Sequence, residues 1–362
     1  MLSALYFFVV GFIVLNAIIG MVTYVTLLER KFAARMQSRI GPYRVGPHGL
    51  LQPIADALKL MMKEDVVPRT ADRAVYNLAP IVFLLPCMLI FATLPFAPGL
   101  GVADLNIGIL FFLAVSAMEI VGLFMGGWGS NNKYALLSVM RAVNQIISYD
   151  LPFVFVALVP VLLADSLRLS DIAAAQPDLL HWFIFYPVLG QLAFLTYIVT
   201  TLAAENRVPF DILEAESELI AGFRVEYSGM KFALIQLGEY AHVIGTSFLG
   251  ALLFLGAWGG PGPAWLGPLW FLLKAMFVFL LVTWIRWSFV RIRVDQILAI
   301  SWKLLLPFSL LLLMATAVVV AWKGADATEM SAGPKPLPLI TKTEPCATGE
   351  LKGILLAAFI TP

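Results

Sequence analysis

Eight apolar runs divide this chain almost from end to end, and each is long enough to cross a bilayer, which takes about 20 mostly apolar residues as a helix. The first, Met1–Leu28, contains no charge and stops at Glu29, Arg30 and Lys31. The others are Val75–Phe96, Leu105–Met125, Tyr134–Ala164, Trp182–Ala204, Phe232–Trp258, Leu269–Trp287 and Ile297–Trp322. Of the 362 residues, 13% are charged, against about 25% in a soluble domain. The sequence therefore predicts an all-α polytopic membrane protein with about eight transmembrane helices. No basic residue precedes the first run, so it does not read as a cleaved signal peptide. The fourth run carries Pro152 after Asp150, which predicts a kink or tilt.

The basic residues set an orientation. Arg30, Lys31, Arg35, Arg39, Arg44, Lys59, Lys63, Arg69 and Arg73 lie in or beside the first connection. Lys133 and Arg141 flank the third, Arg207, Arg224 and Lys231 mark the fifth, and Arg286, Arg291, Arg293 and Lys303 flank the seventh. The even connections hold Arg168 alone. Short cytoplasmic loops are the ones rich in Lys and Arg, so both termini are expected outside and the odd connections in the cytoplasm. Residues 1–322 read as one membrane domain and 323–362 as a polar, Pro-rich tail. The run Gly353–Ile360 is too short to span; it reads as surface-lying or disordered.

A formal charge of +1 gives no pull toward nucleic acid. Cys87 and Cys346 form no ligand cluster, so no metal or iron–sulfur site of the chain's own is expected. No P-loop or strand-linked G-x-G-x-x-G is present. Gly122 and Gly126 read as a close-packing pair on an apolar helix.

Three constellations remain. In the first connection, Gly41, Pro42, Gly46, Pro47 and Gly49 make a rigid loop, followed by a predicted helix from Leu51 to Lys63. Gln52, Asp56, Lys59 and Lys63 form its polar stripe; Leu51, Ile54, Leu58, Met61 and Met62 form its apolar one. This is an amphipathic interfacial helix. It reads as a plain surface anchor or as the lip of an entrance for a lipid-soluble ligand, a role that suits adaptable methionines. The second is the acidic connection 205–227, with Glu205, Asp211, Glu214, Glu216, Glu218 and Glu226 interleaved with Phe210, Ile212, Leu213, Leu219, Ile220 and Phe223. A charge run is ordinarily a solvated face. A segment this apolar packs down, though, and carboxylates sharing a partly buried site cannot all ionise, which suits proton uptake and release. The third is the charge within the spans: Glu119, Arg141, Asp150, Glu239, His242 and Lys274. Arg141 and Lys274 could snorkel, and His242 reads as a hydrogen-bonded core residue that could pair with Glu239, one turn away. Six such groups together suggest a polar chain through the interior.

Four motifs in order carry a family resemblance: LLERKFAARMQSRIGPYRVGPHGLLQPIADALKLMMKED, GWGSNNKYALLSVMRAVNQIISYD, ENRVPFDILEAESELIAGFRVEYSGMKFALIQLGEY and RIRVDQILAISWKLLLP. From about Leu28 to Ala315 the chain resembles the H subunits of proton-translocating NADH:quinone oxidoreductase, respiratory complex I, whose mitochondrial counterpart is subunit 1. The resemblance implies a translocase component of the bacterial cytoplasmic (inner) membrane with no redox centre of its own. Quinone, either ubiquinone or menaquinone, would be the substrate, with FMN and iron–sulfur clusters on partner subunits. The partners would be the soluble subunits of the quinone site and the antiporter-like membrane subunits. It further implies that Arg30, Arg39, Phe223 and Tyr227 line or brace a quinone cavity, with Leu58 and Met62 on its entrance helix. Asp56, Asp150, Glu205, Asp211, Glu214, Glu216, Glu218 and Glu226 would form a proton funnel. Position 150 is Asp where the family more often has Glu, and the tail after Lys323 carries no resemblance.

Alternatives of other kinds stay open on residues alone. The homologous membrane subunit of an energy-converting hydrogenase would use the same acids without quinone, although RVPFD and AGFRVEY look more like the quinone enzyme. A stand-alone cation/proton antiporter would show repeated halves, and no repeat is visible. A passive scaffold leaves the acidic loop unexplained.

Overall fold

The computed structural model describes residues 2–213, 221–261 and 263–330. Among them there is no strand, only an isolated bridge between Ala97 and Leu100. The helices are α1 (Leu2–Met36), α2 (Gln52–Met62), α3 (Arg73–Leu89), α4 (Gly108–Ala117), α5 (Glu119–Gly129), α6 (Lys133–Ala164), α7 (Leu169–Ala174), α8 (Leu189–Ala204), α9 (Gly229–Phe254), α10 (Gly267–Ser288), α11 (Val294–Ile300) and α12 (Leu306–Met330). Among the described residues, six helical stretches are long and apolar enough to cross a membrane: α3 with its 3-10 extension, α4–α5, α6, α9, α10 and α11–α12. The 35-residue α1 covers the first apolar run. The chain splits into two compact units at Val318/Val319. The second is helical through Met330, beyond the expected start of the polar tail.

Side chains at the helix starts fix their registers. Asp72 Oδ1 accepts from Ala74 N at 3.1 Å to cap α3, and Asn132 Oδ1 accepts from Tyr134 N at 2.9 Å to cap α6. The fifth span is shorter than its apolar run predicts. Trp182–Tyr186 turns in 3-10 geometry, Val188 takes a positive φ of 62° that no helix continues through, and α8 begins only at Leu189. α6 runs unbroken through Pro152 and Pro160.

α9 is the axis of the first unit. In its most apolar window 83% of residues are buried, against 22% for α11–α12, which is mostly uncovered by other helices. α9 packs on α3, α10 and α1, and α3 packs in turn on α5. Glycines allow these approaches. A Cβ on Gly238 would meet the Phe83 ring at 2.9 Å, and one on Gly122 would collide with the Phe83 backbone. Cys87 is buried, its thiol donating to Phe83 O at 3.2 Å.

Candidate functional site

The site is built on two supports, the helices α5, α6 and α9 and the connection that follows α8. On the helices, His242 Nδ1 lies 2.8 Å from Glu119 Oε2. Both line a cavity of about 20 Å³ with Asp150, Ser116, Ile146 and Thr246. One turn past His242, the Thr246 hydroxyl donates to Glu205 Oε1. Glu205 Oε2 is buried with no hydrogen-bond partner. A second cavity of about 20 Å³ is lined by Glu119, Glu205, Arg207, Asp211, Glu239 and Arg286. Glu119 thus faces both cavities. The second is mainly polar and the first mainly apolar, and each has room for about one water molecule.

The connection after α8 supplies the remaining charges. Burial pushes the Glu205 carboxyl up to about 7, against the pull of Thr246, His242 and Arg207. Arg224 is ion-paired with Glu239, Arg286 with Glu29, and Arg291 with Asp211 at 3.0 Å. The Arg207 guanidinium lies 4.8 Å over the Tyr240 ring. The backbone is tied down by Gln145 of α6, whose Nε2 donates to Ala203 O at 2.8 Å and Phe210 O at 2.7 Å. An open cavity of about 720 Å³ adjoins this connection, lined by Arg141, Arg291, Arg293, Asp295 and three aliphatic residues.

The expected site residues fall into three groups. Asp150, Glu205 and Asp211 join the internal line of charge. Arg30 and Asp56 form a 2.6 Å ion pair from the end of α1 to α2, and Gln52 Nε2 donates to Asp56 at 3.0 Å. Leu58 and Met62 stand on the exposed apolar stripe of α2. Arg39 is exposed and donates to Gln37 Oε1 at 2.7 Å. Phe223 and Tyr227 are buried in a small core with Tyr76, Phe83 and Leu123. There Tyr227 stacks on Tyr76 with centroids 4.3 Å apart, and the Phe223 ring fills the space above Gly126. Asn132 Nδ2 donates to Glu226 Oε1 at 2.7 Å. Glu214, Glu216 and Glu218 lie outside the described residues.

Two local expectations need correction. Glu239 does not pair with His242, because partners from other elements, Arg224 and Glu119, claim them separately. Lys274 does not snorkel: its ammonium is buried, donates to the carbonyls of Leu255 (2.6 Å), Gly256 (3.3 Å) and Gly259 (2.5 Å), and sits 4.1 Å over the Trp182 ring. Sequence reasoning missed Glu29, Arg286, Thr246 and Gln145. Glu29 sits in a basic cluster, and the polar uncharged pair gives no charge signal. Among the described residues no group of three or more His, Cys, Asp or Glu could hold a metal ion.

Fold and site together define a multi-pass integral membrane protein organised around an internal line of paired ionisable groups. The sequence model of the NADH dehydrogenase family matches residues 9–317, and the chain belongs to that family. Its relatives include the H subunit of NADH-quinone oxidoreductase from Dehalococcoides mccartyi strain CBDB1, 48% identical over 85% of this chain and 83% of the relative. The H subunit from Geobacillus kaustophilus is 48% identical over 87% and 94%, and that from Chlorobaculum parvum 43% over 82% and 88%.

Proposed function

We propose that this chain is the membrane-embedded H subunit of a proton-translocating NADH:quinone oxidoreductase. In this reading it forms the quinone entrance and couples quinone reduction to proton movement through its internal acids. It works in the bacterial cytoplasmic membrane beside soluble quinone-site subunits, which carry the FMN and iron–sulfur clusters, and antiporter-like membrane subunits. Ubiquinone or menaquinone is the substrate.

The observation that carries the coupling half is the unbroken neighbourhood from Asp150 through His242 and Glu119 to Glu205, Glu239 and Asp211, joined by two shared cavities. Ionisable groups at membrane depth mark ion paths by default. A carboxyl poised at about 7 can both take up and release a proton at neutral pH. The exposed apolar stripe of α2, anchored by Arg30–Asp56, supports the entrance half. The Gly/Pro loop before α2 is held to α1, with Lys31 Nζ donating to His48 O at 2.5 Å.

The test is Glu205→Gln in the assembled complex. Quinone reductase and proton pumping fall together, by about tenfold or more if this is one of the main proton sites. NADH oxidation by an artificial acceptor, which bypasses this subunit, stays normal. Normal quinone reduction and pumping would remove the acids from the mechanism.

A further inference from the structure

His242 is buried on α9, and the resemblance assigned it no part in the funnel. We propose that His242 is a proton-relay residue, passing protons between the helix-borne acids Glu119 and Asp150 and the loop-borne Glu205. This rests on the reading that the acids carry protons.

The geometry places the imidazole at a junction. Nδ1 meets Glu119 Oε2 at 2.8 Å. The ring shares its cavity with Asp150. Thr246, next on the same helix face, holds Glu205, whose second oxygen is buried and unpartnered beside the other cavity. Asp150 and Glu205 both lie within electrostatic range of the ring. Only an imidazole presents two nitrogens that can hold a proton at one and accept at the other.

In one passage the unprotonated ring nitrogen first takes a proton from the Asp150 carboxyl, directly or through a water of the size the cavity admits, and the ring becomes an imidazolium. Nδ1 then gives its proton to a Glu119 carboxylate oxygen, leaving a neutral ring with its hydrogen on the other nitrogen. Transfer of that hydrogen back to Nδ1, by a ring flip or through the cavity water, resets the ring, so one proton has entered and one has left. From the Glu119 carboxyl the second cavity leads to Glu205.

The titratable and charged surroundings are known on each packed element. Cys87 comes from α3, Glu119 from α5 and Asp150 from α6; Glu205 and Arg207 follow α8, and Glu239 and Tyr240 are on α9 itself. On α1 and α10, Glu29 and Arg286 pair with each other and Lys274 is held by carbonyls.

The experiment is His242→Gln in the whole complex in native membranes, normalised to NADH oxidation by an artificial acceptor. Glutamine can still donate to Glu119 but cannot pass a proton on. Quinone reduction and pumping should fall by about tenfold or more, in the range of a lost proton-transfer group. The pH profile between about 5 and about 8, where histidine titrates in proteins, should change shape. A normal rate overturns the proposal. So does a uniform loss at every pH, which marks a packing role. If this variant fails to assemble, the Glu119→Gln/His242→Gln double variant, which leaves a neutral hydrogen-bonding pair, is read by its pH profile against Glu119→Gln alone: a distinct profile supports the relay and an identical one overturns it. The Glu205→Gln arm separates the two levels. If Glu205→Gln is impaired and His242→Gln is normal, only the relay falls; if both are normal, the reading beneath it falls too.

Discussion

At the scale of single residues, pairing decides which charges this membrane protein tolerates. Arg224 is buried and paired with Glu239, and its guanidinium lies 5.6 Å over the Phe223 ring. Removing one partner of a buried pair leaves an uncompensated charge, at a cost of about 3–5 kcal/mol. Arg224→Met should therefore lower the yield of assembled complex sharply. Adding Glu239→Gln should recover part of it, measured as complex recovered from membranes and its thermal midpoint. An unrescued double variant would mean that Arg224 matters through its other contacts. The acids of the connection were legible because six carboxylates in 205–227 stand out against an apolar chain. Their partners were not. Asp211 pairs with Arg291 across 80 residues, and the Glu226 carboxylate accepts from Asn132 across 94. Local spacing carries no trace of such contacts. It even misleads at Glu239 and His242, where helical proximity suggests a pair that tertiary partners replace.

At the scale of elements, α2 matches its expected range to within a residue at each end, because its two stripes are set by period alone. Its apolar side faces outward: Leu58 is 55% and Met62 86% exposed. Leu58→Glu or Met62→Glu should leave assembly intact and, if α2 is the proposed entrance, raise the apparent KM for quinone, since the change charges an exposed surface without touching the core. An unchanged KM in assembled complex would leave α2 as an anchor. The α3–α5 contact makes the opposite demand. Gly122→Val forces a side chain against the Phe83 backbone and should cost at least the 1–3 kcal/mol or so typical of overpacking. Gly20→Ala, which meets nothing within 4 Å, is the matched neutral change. Comparing their assembled yields reads the difference. Hydropathy overstated α8, because a backbone break such as the positive φ at Val188 is invisible to an average over an apolar run.

At the scale of the whole molecule, the class of fold was legible because the apolar runs are long and the basic residues fall almost entirely in alternate connections. The same asymmetry predicts both termini outside. A reporter active only in the cytoplasm, fused after Lys323, should be silent; strong activity would invert the orientation. The centrality of α9 was not legible, since its mean hydropathy of 1.2 is the lowest among the six candidate spans. It is the helix whose glycines and polar side chains face other helices rather than lipid.

The ammonium of Lys274 gains a further meaning from where its helix neighbour runs. Its carbonyl cage lies at the C-terminal end of α9, and Leu255 is 13 residues beyond His242, about 20 Å along a helix. Held there, the ammonium meets the negative end of the α9 dipole and satisfies carbonyls that the end of the helix leaves open. One side chain of α10 is thus the clasp that closes α9, and the helix that carries His242 and Glu239 is fastened at its far end by its neighbour rather than by water.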